Sequence, residues 1–109
     1  MSQHVSQADG TGRIDVNGHV SPVAYHLIAE HRENAPETAV RIELSLPRDW
    51  LLEKGFRSEA TLIRDNGERV KVHSEEEVSP QAPISVMLRT SEAPCPDAEF
   101  GRRYPEFPR

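Results

Sequence analysis

Five histidines in 109 residues are the densest set of side chains here that could do chemistry. His19, His26 and His31 fall within thirteen residues and can converge if the first two strands pair; His26 and Glu30 then share a strand face. A neutral imidazole ligates metals, and a protonated one appears near pH 6, so convergence would imply a metal centre or a proton-sensitive site. A zinc site, however, needs three or four ligands in fixed geometry, and the HxH, HExxH and CxxC spacings are absent from the sequence. No metal site is predicted.

Nucleophilic chemistry is poorly provided for. Cys95 is the only thiol and lies between Pro94 and Pro96, with no base beside it in sequence. A single cysteine also excludes an internal disulfide framework. Gly10-Thr11-Gly12 precedes a strand rather than opening a helix after one, which is the wrong context for a phosphate loop. The expectation is a protein without catalytic residues or cofactor.

Two sets of residues remain that could bind something. The segment GRRYPEFPR carries three arginines against one glutamate, a charge of +2, which leaves −7 (−5 minus +2) for the rest of the chain. A basic, aromatic, Pro-containing segment suits a short recognition peptide in extended form, with Arg102, Arg103, Tyr104 and Phe107 as its contacts. Other uses are a fold back onto Glu75–Glu77, an exchange with a second copy, or a solubilising end. The second set is Tyr25, His26, His31 and Trp50, which would hold a nucleotide or a metal if all four reach one mouth of a barrel.

The elements that must position these residues are legible from alternation. Ala60 to Val72 reads as a hairpin around Asp65-Asn66-Gly67. A two-residue turn would oppose Arg64 with Arg69 and Asp65 with Glu68, whereas a three-residue loop with left-handed Gly67 opposes Arg64 with Glu68. That second register also sets Leu62 opposite Val70 and Ala60 opposite Val72, one continuous apolar face, so it is the one predicted. Thr38–Leu46 alternates cleanly, with Val40, Ile42, Leu44 and Leu46 on one face. Residues 12–16 and 23–32 read as two more strands around an Asn17-Gly18 turn, and Ile84–Thr90 as the last, with Ile84, Val86 and Leu88 inward. Pro47 opens and Gly55 closes a short helix over RDWLLEKGF that would plug a barrel end, with Trp50 as a core or lid residue.

The prediction is an all-β fold: a small antiparallel β-barrel of about six strands, spanning residues 12–91, with one short helix and flexible termini. Residues 1–11 are polar, and residues 92–109 hold four of the nine prolines without periodicity, so both are expected to lack structure. The net charge of −5 argues against nucleic acid, and no apolar run approaches the about 18 residues of a membrane span. With no leader-like N-terminus, a cytoplasmic setting is the default expectation. These features predict a non-enzymatic, bacterial-style binding or interaction module. Its partner would be a protein or a second copy, with dimerisation through strand edges. The alternative is a small-ligand sensor using the barrel mouth.

Overall fold

The computed structural model describes residues 4–31, 34, 36–75, 77–91 and 94–107. In chain order the elements are β1 (His4–Val16), β2 (His19–His31), β3 (Glu37–Pro47), α1 (Arg48–Glu53), β4 (Glu59–Ile63), β5 (Arg69–His73), β6 (Ser85–Ser91), β7 (Cys95–Pro96) and α2 (Asp97–Arg103). The sheet runs β2-β1-β4-β5-β6-β3, and a further β2–β3 pairing closes it into a six-stranded antiparallel barrel, with β7 added beside β3. This is the architecture that the alternation predicts, with a second helix in addition.

The β4–β5 hairpin takes the three-residue loop. Leu62 faces Val70, Ala60 faces Val72, and the Arg64 amide donates to the Glu68 carbonyl at 2.8 Å. Gly67 has φ +88°, a backbone that side-chain-bearing residues adopt at a cost. Leu62 and Val72 are completely buried, as the apolar face of that register requires.

β1 and β2 are longer than the sequence predicts, and the reason is the turn between them. Asn17 and Gly18 both have positive φ (53° and 89°), the two-residue loop whose twist matches that of paired strands. From Val16 opposite His19, the ladder runs unbroken to His4 opposite His31. Pairing carries strand structure through Gly10-Thr11-Gly12, where propensity alone would not. Residues 4–11, expected to be loose, are therefore strand. β2 likewise begins at His19 and passes through Pro22, which lies before the His26–His31 stretch that pairs with β3. Ahead of that stretch, along His19–Tyr25, no strand of the described residues pairs the outer edge of β2, and there a residue without an N–H is tolerated.

The core is built from the inward alternation of β1, β2, β3, β4, β5 and β6, with Ile14, Leu27, Ile42, Leu62 and Leu88 fully buried. Ile84 does not join it. It lies just before β6 and is 76% exposed, so Val86, Leu88 and Thr90 form the inward face of that strand.

Each end of the barrel is closed by a helix. α1 follows the end of β3, and its C-terminus sits against the β1–β2 turn, where the Asn17 side-chain amide donates to the Lys54 and Gly55 carbonyls. The Phe56 amide reaches the Leu51 carbonyl and the Gly55 amide reaches that of Leu52, the paired bonds of a Schellman stop around left-handed Gly55 (φ 77°). Leu51 and Phe56 are buried, and Trp50 packs half-buried against them as a lid residue.

The opposite end is closed by the segment expected to be disordered. β7 pairs with the start of β3, α2 follows, and Tyr104, Phe107 and Cys95 are buried in the core. The Phe100 ring packs at a tilt against both Tyr104 and Phe107, with centroids 5.7 and 5.1 Å apart. Proline content misleads here because Pro96 has φ −57° and serves as the cap residue from which α2 starts.

Candidate functional site

The only buried ionic cluster among the described residues lies at the end closed by α2. β4 brings Arg64 there because its inward residues are Ala60, Leu62 and then Arg64, so the last inward position carries a charge. The Arg64 side chain is 1% exposed and that of Glu106 is 5% exposed. Nε and Nη2 of Arg64 donate to Oε2 and Oε1 of Glu106 at 2.9 and 2.6 Å, a two-pronged ion pair. Nη1 donates to Glu68 at 2.9 Å and Nη2 also to the Arg103 carbonyl at 2.9 Å. The guanidinium lies 4.8 Å from the Tyr104 ring centroid, within cation–π range.

Tyr25 completes the cluster from β2. Its hydroxyl donates to Glu106 Oε2 at 2.6 Å and accepts from the Asp65 amide at 3.2 Å. The ring crosses β1 where Gly10 stands opposite Tyr25, and a Cβ at Gly10 would come within 2.6 Å of the ring edge and hydroxyl. Gly10 is thus the residue that admits the tyrosine. None of these groups is free: the arginine, carboxylate and phenol satisfy each other in a dry setting.

Their proton affinities follow from that geometry. Burial and the Glu106 hydrogen bond push the Tyr25 phenol up to about 12. Burial works against charge on Glu106, but the hydrogen bonds from Arg64 and Tyr25 outweigh it and hold its carboxyl below the usual range. Burial likewise opposes the Arg64 charge, and Glu106 more than restores it, so the guanidinium titrates above its ordinary value. A general base is most useful with a pKa near the working pH, and this cluster is tuned away from it. It can hold two distant segments together.

The sign of the pH dependence follows. A phenol raised from 10.0 to about 12 in the folded state stabilises the fold fully below pH 10, and that contribution is lost as pH rises through 12. The lowered Glu106 carboxyl contributes above its ordinary pKa and loses that contribution as pH falls through its folded value. Urea midpoints measured from pH 9 upward should decline through this window in the native chain. Tyr25→Phe, compared with it across the same window, should show a shallower decline; parallel curves would refute the coupling.

The residues singled out from the sequence are not brought together. Tyr25 points into the end closed by α2, whereas Trp50 lies on α1 at the other end. His26 faces outward on β2, its ring 2.8 Å from Asp9 Oδ1 and 3.1 Å from Gln7 Oε1. His31 sits by Thr38 and Asp97, at 3.3 and 3.2 Å, and Thr38 in turn donates to Asp97 at 2.9 Å. β1 and β2 do pair, but His19 lies at the turn, twelve residues along the strand from His31. Among the described residues no group of three or more His, Cys, Asp or Glu side chains is arranged to hold a metal.

The four C-terminal residues divide. Tyr104 and Phe107 are 1% and 8% exposed and belong to the core. Arg102 is exposed and pairs with Glu99 at 2.9 Å, while the guanidinium of Arg103 lies 5.9 Å from the Tyr104 ring centroid. As an extended recognition peptide the segment would have to surrender both aromatics, and it is not extended. Glu106 and Arg64, the most deeply engaged charges, do not stand out in the sequence; the available signal was an arginine on the inward phase of β4.

One surface of the molecule is left incomplete. β1 pairs with β2 along its whole length but with β4 only at Arg13–Asp15. In a two-residue hairpin the closing pair exchanges hydrogen bonds and alternate pairs follow, so the even residues of β1 bond to β2 and the odd ones face away. The Arg13 and Asp15 positions that meet β4 are odd, as this count requires. Val5, Gln7, Asp9 and Thr11 therefore turn their amides and carbonyls to an edge on which no strand of the described residues lies. No helix among them is long and apolar enough to cross a membrane. No protein-family model, curated protein or solved structure matches this chain.

Proposed function

We propose that the protein is a non-enzymatic interaction module that takes up an extended strand along the free edge of β1. The observation that carries this reading is the contrast between the two candidate sites. The buried Arg64–Glu106–Tyr25 cluster is internally satisfied, while the β1 edge offers a row of backbone donors and acceptors that no strand of the described residues pairs. Strand addition draws its affinity from such main-chain groups and its selectivity from the alternating side chains. Here those are Val5, which is 55% exposed, with Gln7 and Asp9 on the outer face.

Amide hydrogen exchange on the full chain at high dilution tests it. The amides of Ser6, Ala8 and Gly10, bonded to β2, should exchange slowly, and those of Val5, Gln7 and Asp9 quickly. Uniform protection along Val5–Gly10 in the dilute protein would mean that the chain covers its own edge, and the proposal would fall.

A further inference from the structure

Among the described residues, the free edges of β2, β5 and β7 each carry a device against pairing, and that of β6 is covered. The free edge of β2 contains Pro22, and that of β5 carries exposed Arg69 and Lys71. β7 is two residues long and one of them is Pro96. Beside β6 lies the connection that supplies Val78, Ala82 and Pro83, which share a cleft with Val86. Lys, Arg and Pro on edges are the usual means of preventing association. Between Val5 and Gly12 there is none of the three.

The free stretch has a defined length. A Cβ at Gly12 would run into the Ile63 carbonyl and the Arg64 backbone, and Thr11 and Gly12 share a cleft with Asp65 and Gly67, so the start of the β4–β5 loop stands beside the edge from Thr11 onward. The stretch available to an incoming strand is Val5–Asp9, and its centre is Gln7. We infer that the partner taken here is a second copy of this chain, its β1 antiparallel to the first with Gln7 on the twofold axis. This rests on the open-edge reading above.

The register is self-selecting. With Gln7 on the axis, Val5 faces Asp9 of the other copy, and the outward amides and carbonyls of all three residues are paired. Moving the axis to Asp9 opposes two carboxylates, which destabilises a ladder. Moving it to Ala8 drives the incoming N-terminal residues into the loop at Asp65–Gly67. The side chain on the axis suits its position, since an amide both donates and accepts and can face its own copy. Its Oε1 is already set by the His26 ring at 3.1 Å. Each copy would continue the other's β3-β2-β1 sheet, an isologous contact of the kind that closes at two.

Charge substitution at the axis tests this with the full chain. Gln7 is exposed, so Gln7→Glu and Gln7→Lys leave the core untouched. Sedimentation equilibrium should show the native chain dimerising with concentration. Each variant alone should dimerise about fivefold more weakly or worse, because like charges then face across the axis. An equimolar mixture of the two should recover association as a heterodimer. Variants and mixture that all associate like the native chain would place the contact elsewhere and overturn the inference. A native chain that stays monomeric would also overturn it, and hydrogen exchange then separates the cases. Fast exchange at Val5, Gln7 and Asp9 would leave the edge open to a different strand, whereas slow exchange in that monomer would remove the open-edge reading as well.

Discussion

Replacing Glu106 by alanine is expected to destabilise the protein by about 3–5 kcal/mol, the usual cost of leaving a buried charge without its partner. Arg64 would lose both prongs of the pair and, of its hydrogen-bond partners, keep only Glu68, whose side chain is 58% exposed, and the Arg103 carbonyl. Tyr25 would lose its acceptor at the same time. For a domain of this size each kcal/mol moves the melting temperature by about 4–8 °C, so the transition should fall by roughly 12 °C or more. Trp50 on the opposite helix gives a fluorescence readout remote from the change. The double variant Arg64→Met with Glu106→Leu should recover most of the loss, since an apolar pair of similar volume removes the desolvation penalty altogether. A Glu106→Ala protein that melts within a degree or two of the native chain would mean that the ion pair holds nothing.

A chain ending at Ser91 should show no cooperative unfolding transition. It would lose the completely buried Cys95, the buried Tyr104 and Phe107 rings, and Glu106 itself. Truncating one large buried aromatic costs about 3–5 kcal/mol, so two of them approach the about 5–15 kcal/mol that holds a typical domain together. Calorimetry on the shortened chain is the direct measurement. A sharp transition near that of the full chain would show that the segment is an appendage after all. Tyr104→Ala, which should fold but melt lower, keeps the question answerable if the short form cannot be purified. Loss of a binding partner on such truncation would report unfolding of the barrel, so binding experiments belong on the full chain.

Much of the barrel is legible in the sequence because short-range rules decide it. The Asp65-Asn66-Gly67 loop is settled by which charges would face each other, and Glu37–Pro47 by strict alternation. Pro47 and Gly55 bracket α1 with ordinary start and stop residues. The same signals are present in α2: Pro96 ahead of Asp97 and Glu99, Arg102 and Arg103 in the last turn, and Phe100, Tyr104 and Phe107 at helical spacing. Composition points the other way, since four prolines in the last 18 residues look like disorder when read as a total rather than by position. The N-terminal half of β1 is different. Nothing local makes SQADGTG a strand, and only its pairing to β2 through Asn17-Gly18 does so. The candidate site was hidden for a third reason. An ion pair between residues 64 and 106 leaves no periodic trace, and Glu68 is an acid much nearer to Arg64 along the chain.

The spacing of the latch along the chain also orders events in time. The β1–β2 and β4–β5 hairpins close loops of two and three residues, which cost little chain entropy and form within microseconds. Arg64 and Glu106 are 42 residues apart, no more than strand partners such as Ile14 and Leu62, but Tyr25 and Glu106 are 81 apart, further than any strand pairing of the described residues. Contacts of such separation are made late, after the costly loops have been closed by other pairings. Docking of α2 buries Arg64, Glu106, Tyr104 and Phe107 together, so it is the expected last step in closing this end of the barrel.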